Sequence, residues 1–129
     1  ILIIGGTSAL SVPLIKVLKK DHTVVTTGRK GCDIFLDLNK DINSEDFPED
    51  IDTIVHVAAS FGGKKYLDFK DAISANVLGT LKVSQLAKEL NVKHLILISS
   101  MYVCLSVSSP YYTQYALTKK PNHYNLQEV

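Results

Sequence analysis

Residues 1–20, ILIIGGTSALSVPLIKVLKK, constrain the fold more than any other stretch. Ile1, Leu2, Ile3 and Ile4 form an unbroken apolar run, the pattern of a parallel strand covered on both faces. Gly5 and Gly6 end it. From Ala9 onward, Leu10, Leu14, Ile15 and Leu18 recur at helical spacing, with Lys16, Lys19 and Lys20 on the outer face or in the last turn. Pro13 falls near the helix start, where its missing N–H costs little. A strand that feeds a helix through a glycine turn aims free backbone N–H groups at one point, which favours a phosphate. The same turn also serves plain strand-to-helix units, so the motif alone leaves both readings open.

The remainder of the chain repeats the alternation. Strands are expected at residues 22–27 (HTVVTT), 33–38 (DIFLDL), 52–59 (DTIVHVAA) and 94–99 (HLILIS). The acidic stretch between the second and third of these reads as a surface connection with one helical turn before Pro48. A glycine loop at residues 61–65 precedes a long helix over residues 68–90, whose Ala75, Val77, Leu78, Leu81, Val83, Leu86 and Ala87 give a broad apolar face. A further helix is expected from about Tyr112, and Pro121 stops it early. Strands alternating with helices imply right-handed crossovers, and so an α/β, doubly wound parallel sheet of Rossmann type with helices on both faces. Such a sheet binds ligands at the carboxyl ends of its strands.

Composition narrows the partners. With 129 residues and 46% hydrophobic content, residues 1–129 are read as one domain with a real core. A net charge of +1 supplies no field for nucleic acid or an anionic membrane. No apolar run has the length of a membrane span, and no signal peptide precedes the first strand, so a cytoplasmic protein is expected. Cys32 and Cys104 suit reduced thiols in that compartment. The chain begins at Ile1 and its single methionine is Met101, so it is expected to be part of a longer reading frame.

The motifs ILIIGGTSALS, HVAAS, NVLGT, ISSMYV and YALTK occur in that order on the expected elements. Together they resemble the extended short-chain dehydrogenase/reductase family, in particular its nucleotide-sugar epimerases, dehydratases and ketoreductases. The resemblance covers residues 1 to about 119. It implies an NAD(P)-binding Rossmann domain that exchanges hydride with a sugar carbon of a nucleotide sugar. The family's GxxGxxG appears here as Gly5, Ser8 and Ser11, so two of its glycines are replaced by serine. The second glycine ordinarily lets the backbone approach the pyrophosphate and the third lets helix and strand pack. Gly5, Thr7, Ser8, Ala9 and Leu10 are expected to bind the cofactor, and it stays open whether Ser8, where its backbone angle allows, donates its hydroxyl to the phosphate or the two serines weaken or abolish binding.

Cofactor choice is read at the end of the second strand, where an NAD site carries an acid for the ribose diol. Thr27, Gly28 and Arg29 stand there instead, and Arg29 is placed to pair with a 2′-phosphate, so NADP is expected in preference to NAD. By resemblance, Asp37 and Leu38 flank the adenine, and Val57, Ala58 and Ala59 line the ribose and pyrophosphate side.

The resemblance places the chemistry in Ser100, Tyr115 and Lys119. Tyr115 and Lys119 are four residues apart and share a helix face, so a nearby ammonium is expected to lower the tyrosine pKa and make it a usable base. Ser100 would hold the reacting oxygen beside Tyr115. The family analogy gives Lys119 the nicotinamide ribose and Asn76 the helix geometry on the lysine side. Tyr66 and Lys70 repeat the same spacing, but they follow the fourth strand and not the one that carries Ser100.

Other residues read as structural. His56 sits inside an apolar strand as a core histidine, and His22, His94 and His123 have no metal-ligand spacing. Cys104 and Leu105 replace family tyrosine and glycine, and the interval from Ser100 to Tyr115 is short, so the substrate loop is expected to be trimmed. Nothing resembles the family's C-terminal substrate lobe. Apolar residues Ala72, Ile73, Val77, Leu81, Val83 and Leu86 extend beyond one stripe of the long helix, and a homodimer through this face is expected. A non-catalytic NADP-binding sensor or scaffold, and a reductase of a small non-sugar carbonyl, remain open beside the nucleotide-sugar enzyme.

Overall fold

An unbroken apolar run such as residues 1–4 is satisfied only by cover on both sides, and the computed structural model, which describes residues 1–121, supplies it. Five parallel strands, β1 (Leu2–Ile4), β2 (Val25–Gly28), β3 (Ile34–Phe35), β4 (Thr53–His56) and β5 (His94–Leu97), form one sheet in the order β3-β2-β1-β4-β5. β1 is central, with Ile3 in register with Thr26 on one side and Val55 on the other. Helix α1 (Ser11–Leu18) packs Leu14, Ile15 and Leu18 over Ile3, Val24, Val55 and Val57. On the opposite face α3 (Gly79–Glu89) seats Val83, Leu86 and Ala87 against Leu2, Ile4, Ile54 and Leu36. The doubly wound Rossmann architecture expected from the sequence is the one observed.

Element ends differ from expectation for identifiable reasons. α1 starts at Ser11 and not at Ala9, because the Ser8 hydroxyl accepts the Ser11 N–H at 3.0 Å and caps the turn first. β2 starts at Val25, because the His22 N–H closes the end of α1 on the Leu18 carbonyl. β3 is only two residues long: Asp33 gives its carboxylate to Thr26, and after Phe35 the chain turns inward to bury Leu36 and Leu38. β4 ends at His56, because the next two N–H groups, of Val57 and Ala58, both bond the Ile4 carbonyl and turn the chain out of the ladder.

The long helix is present but not uniform. α2 (Tyr66–Ile73) passes into a π-helical turn at Ser74–Leu78 and then into α3. Within it the Thr80 hydroxyl donates to the Asn76 carbonyl at 2.7 Å, and the Ser84 hydroxyl donates to the Thr80 carbonyl. Such back-bonding occupies carbonyls that an α-helix would use. The expected apolar face divides: Ala72, Val83 and Leu86 are buried in this chain, whereas Ile73, Leu78 and Leu81 stay exposed and Val77 is half-buried. α4 (Gln114–Lys119) begins two residues later than Tyr112 and is capped by the Thr113 hydroxyl. His123 lies outside the described residues.

His56 is a core histidine, with 1% of its surface exposed. Thr80 spends its one proton on the Asn76 carbonyl, so the ring Nε2–H donates to Thr80 Oγ1 at 3.1 Å and Nδ1 carries no proton. Nδ1 has no protein partner among the described residues. Burial first, and the Lys119 charge second, push its pKa down to about 3. The unfolded histidine instead protonates near 6.5, so the stability from the neutral ring is complete above that pH and is lost as pH falls toward 3. We expect urea denaturation to show stability falling by up to about 1.4 kcal/mol per pH unit below the unfolded value. His56→Gln should flatten that dependence, and an equal slope in both proteins would contradict the assignment.

Candidate active site

Every strand of a parallel sheet ends its ladder with unpaired backbone groups, and here β1, β2 and β4 end on one cleft of about 320 Å³. Gly5 makes the first turn possible. Its φ is +93°, and a Cβ there would lie 2.7 Å from the Ala58 nitrogen, so only glycine lets the turn approach the end of β4. The Gly5 and Gly6 N–H groups both donate to the Thr27 carbonyl at 2.9 Å. The backbone N–H groups of Thr7, Ala9 and Leu10 have no protein acceptor among the described residues. That leaves an exposed set of donors at the start of α1, as an anionic ligand requires.

The two serines that replace family glycines close on each other. The Ser11 hydroxyl donates to the Gly5 carbonyl at 2.7 Å, so in the 2.7 Å contact between the hydroxyls Ser8 is the donor. Ser8 also accepts the Ser11 N–H. A hydroxyl from Ser8 to a phosphate is thus not what this geometry offers: the Ser8 proton is engaged by Ser11, and backbone N–H groups are the donors that remain. Ser11 is fully buried and bridges the end of β1 to the start of α1, which accommodates serine at the packing position.

Thr27, Gly28 and Arg29 from the end of β2 line the cleft with Thr7, Ser8, Asp37, Leu38, Ala58 and Ala59. Arg29 is exposed and makes no ion pair among the described residues. Its loop is tied at the base. Asp33 accepts the Thr26 N–H at 2.8 Å and the Thr26 hydroxyl at 2.7 Å, and these bonds hold its carboxyl below the usual range. One expected residue stands elsewhere, and two flank the cleft without lining it. Val57 points into the core under α1, because it follows His56 on the alternate face of the chain. Ala9 and Leu10 are exposed and do not line the cleft, so what they offer a ligand is their unbonded backbone N–H groups. Asn39, Ser60, Asp71 and Ala75 line it without having been expected. Asp71 and Ala75 share one helix face at a spacing of four, which is the signal that reveals them once α2 is known to cross the cleft.

Asn76 is fully buried and links both sides of the site. Its Oδ1 accepts the Ser60 N–H at 2.7 Å, while Nδ2 donates to the Ser60 carbonyl at 2.7 Å and to Thr118 Oγ1 at 2.8 Å. This fixes the loop after β4 against α4. Ser100, at the exit of β5, accepts the Tyr102 N–H at 3.3 Å and lies close enough to the Tyr115 hydroxyl to act on its pKa. The Tyr115 ring packs under Phe61, with centroids 4.9 Å apart, and meets Tyr102 edge-on at 6.4 Å.

The lysine behaves differently from expectation. Lys119 has 1% of its surface exposed, and its Nζ donates toward the Ile98 carbonyl at 3.4 Å. Burial lowers its pKa. Tyr115 is shifted upward: burial raises its pKa, the Ser100 hydroxyl opposes that shift, and the Lys119 charge plays no part. Spacing of four places both residues on one face, but the long lysine reaches back to the end of β5 while the phenol lies out beneath Phe61. Tyr66 is 77% exposed at the first residue of α2, with Lys70 exposed beside it, so the repeated spacing there builds no comparable site.

A dinucleotide fits this arrangement: a glycine turn too close to β4 for any Cβ, backbone donors at the start of α1, and Asp37 and Leu38 on the flank. Residues 36–127 match the NAD-binding family described as Male sterility protein. The chain belongs to this branch of the extended short-chain dehydrogenase/reductases. No curated protein sequence matches it at a significant level.

Solved structures share the fold. A short-chain dehydrogenase/reductase superfamily protein from Agrobacterium tumefaciens with bound NAD superposes with a TM-score of 0.83 at 18% identity, over 98% of this chain and 44% of that one. UDP-glucuronic acid 4-epimerase from Bacillus cereus, in complex with NAD, gives 0.77 at 19% identity, over 98% and 51%. ADP-L-glycero-D-manno-heptose-6-epimerase from Helicobacter pylori gives 0.75 at 19% identity, over 98% and 50%. The chain thus spans about half the length of the structures it matches. Among its described residues no helix is long and apolar enough to cross a membrane.

Proposed function

We propose that the protein is an NAD(P)-dependent oxidoreductase that exchanges hydride with a sugar carbon of a nucleotide sugar, with Tyr115 as the general acid and base. The observation that carries this reading is the half-buried Tyr115 beside Ser100 at the exit of β5, at the same end of the sheet as the glycine-turn cleft. Two of the similar solved structures are epimerases of sugars linked to nucleoside diphosphates, which supports the substrate class. The bound nicotinamide would give or take the hydride. Tyr115, whose pKa is raised, stays a phenol at neutral pH and is ready to protonate a forming alkoxide in the reducing direction. The Ser100 hydroxyl orients the reacting oxygen, and Asn76 keeps α4 in register through Thr118. The buried amine of Lys119, with donors to spare beyond Ile98, is the group we assign to the ribose.

Arg29 at the open end of the cleft, with no ion pair of its own among the described residues, favours NADP(H) over NAD(H) in this proposal. The cytoplasm is the compartment that suits two free cysteines. Ile73, Leu78 and Leu81, with Leu117 on α4, leave an apolar face uncovered by this chain, and we assign it to a C2 homodimer.

The tests are independent of one another. In the full-length protein, Tyr115→Phe should lower turnover of a nucleotide sugar by at least about a hundredfold with cofactor affinity nearly unchanged. Undiminished turnover would remove Tyr115 from the mechanism, whereas a wild-type protein that binds NADP(H) and turns over no carbonyl or sugar would favour a sensor or scaffold. Calorimetric titration should show tighter binding of NADPH than NADH, with the difference lost in Arg29→Ala; equal affinities in the wild type would sink the preference. Sedimentation at micromolar concentration should give a dimer that Leu81→Asp dissociates, and a wild-type monomer would count against that face.

A further inference from the structure

β2 ends at Gly28 and its parallel neighbour β3 begins at Ile34, so residues 29–33 alone carry the chain back along β2. Parallel strands are ordinarily joined by a crossover of about a dozen residues or more. So tight a return is held by identifiable contacts. Asp33 Oδ2 accepts the Thr26 N–H at 2.8 Å and the Thr26 hydroxyl at 2.7 Å, and the Asp33 N–H donates to Thr26 Oγ1 at 3.2 Å. Nearer the cleft, the Cys32 sulfur fills the space that two glycines leave: a Cβ on Gly28 would lie 2.9 Å from it, and one on Gly6 3.2 Å. Gly31, with φ +61°, passes close to Thr7, whose Cγ2 would lie 3.7 Å from a Cβ there. The loop is thus folded onto the glycine turn. Arg29, carried between these ties, is exposed and lines the same cleft as Thr7.

We propose that Asp33 is a positioning residue for cofactor choice: its bracket on Thr26 holds the 29–33 loop against the glycine turn, so that Arg29 already stands at the cleft when the 2′-phosphate of NADP(H) enters. This rests on the NADP(H) preference argued above. An arginine on a slack loop has to be ordered by the ligand, and that ordering is subtracted from the affinity. The Asp33 bracket completes the ordering during folding. NAD(H) carries no 2′-phosphate, so its binding is indifferent to where Arg29 stands. Charge acts in the opposite direction. The Asp33 carboxylate is an anion on the loop that receives an anionic phosphate, and Coulomb repulsion alone would make it unfavourable to NADP(H). Geometry and charge therefore predict opposite effects when the side chain is removed.

The test is calorimetric titration of the full-length protein with NADPH and with NADH. Asp33→Ala, which removes both the acceptor and the charge, should weaken NADPH binding about tenfold and leave NADH affinity nearly unchanged. Asp33→Asn, which removes the charge but keeps an oxygen for Thr26, should bind NADPH at least as tightly as the wild type. Alkylation of Cys32, followed by mass spectrometry of its peptide, should be faster in Asp33→Ala, because the loosened loop uncovers the thiol. Faster alkylation with an unchanged ratio of NADPH to NADH affinity would mean a loop fastened for stability alone, and would overturn the inference. So would tighter NADPH binding by Asp33→Ala, the result that charge alone gives, or an equal loss for both cofactors. A wild type that prefers NADPH, loses the preference in Arg29→Ala and keeps it in Asp33→Ala overturns only this inference. Equal affinities in the wild type overturn the cofactor preference and this inference with it.

Discussion

A buried primary amide with nowhere to go except its protein partners holds this site together. Asn76 sits at zero exposure inside a π-helical turn and joins the Ser60 backbone to Thr118 through three short bonds. Leaving any of them unmade would strand a polar group in the interior, which costs far more than one such bond returns in net stability. Asn76 and Thr80, four residues apart, both face inward, and the Thr80 hydroxyl donates to the Asn76 carbonyl. The loop carrying Phe61 and the helix carrying Tyr115 and Lys119 therefore share one anchor. The geometry of the reacting side depends on a residue that faces away from it.

The architecture was legible because its signals are periodic. Branched apolar runs and a broad helical face specify strands and helices whatever surrounds them, and the glycine break after Ile4 specifies the turn. Strand ends were less legible, because side chains far along the chain decide them: Asp33 shortens β3 by capturing Thr26, and the Ile4 carbonyl ends β4 by taking two donors. Spacing brought Tyr115 and Lys119 onto one face but said nothing of where a four-carbon stem leads. The expectation of a lowered tyrosine pKa therefore failed, because burial beneath Phe61 controls that group. The partner of the Ser8 hydroxyl was illegible for a related reason. A hydroxyl's partner depends on the rotamers of its neighbours, and Ser11 is three residues away with a proton already committed to Gly5. Cleft residues such as Asp71 carried no motif at all and became visible only when α2 crossed the cleft.

The order of the strands has a consequence for how the chain reaches this structure. β1 comes first in sequence but lies at the centre, and its second neighbour, β4, is separated from it by the whole β2 and β3 crossover. Ile3 pairs with Thr26 early, while its contact with Val55 waits until that later strand exists and has returned across the sheet. Long-range parallel pairings of this kind slow folding, because loop closure must be paid for before the contact rewards it. On a ribosome β1 would therefore emerge with one edge unpaired, open to wrong partners until β4 is made.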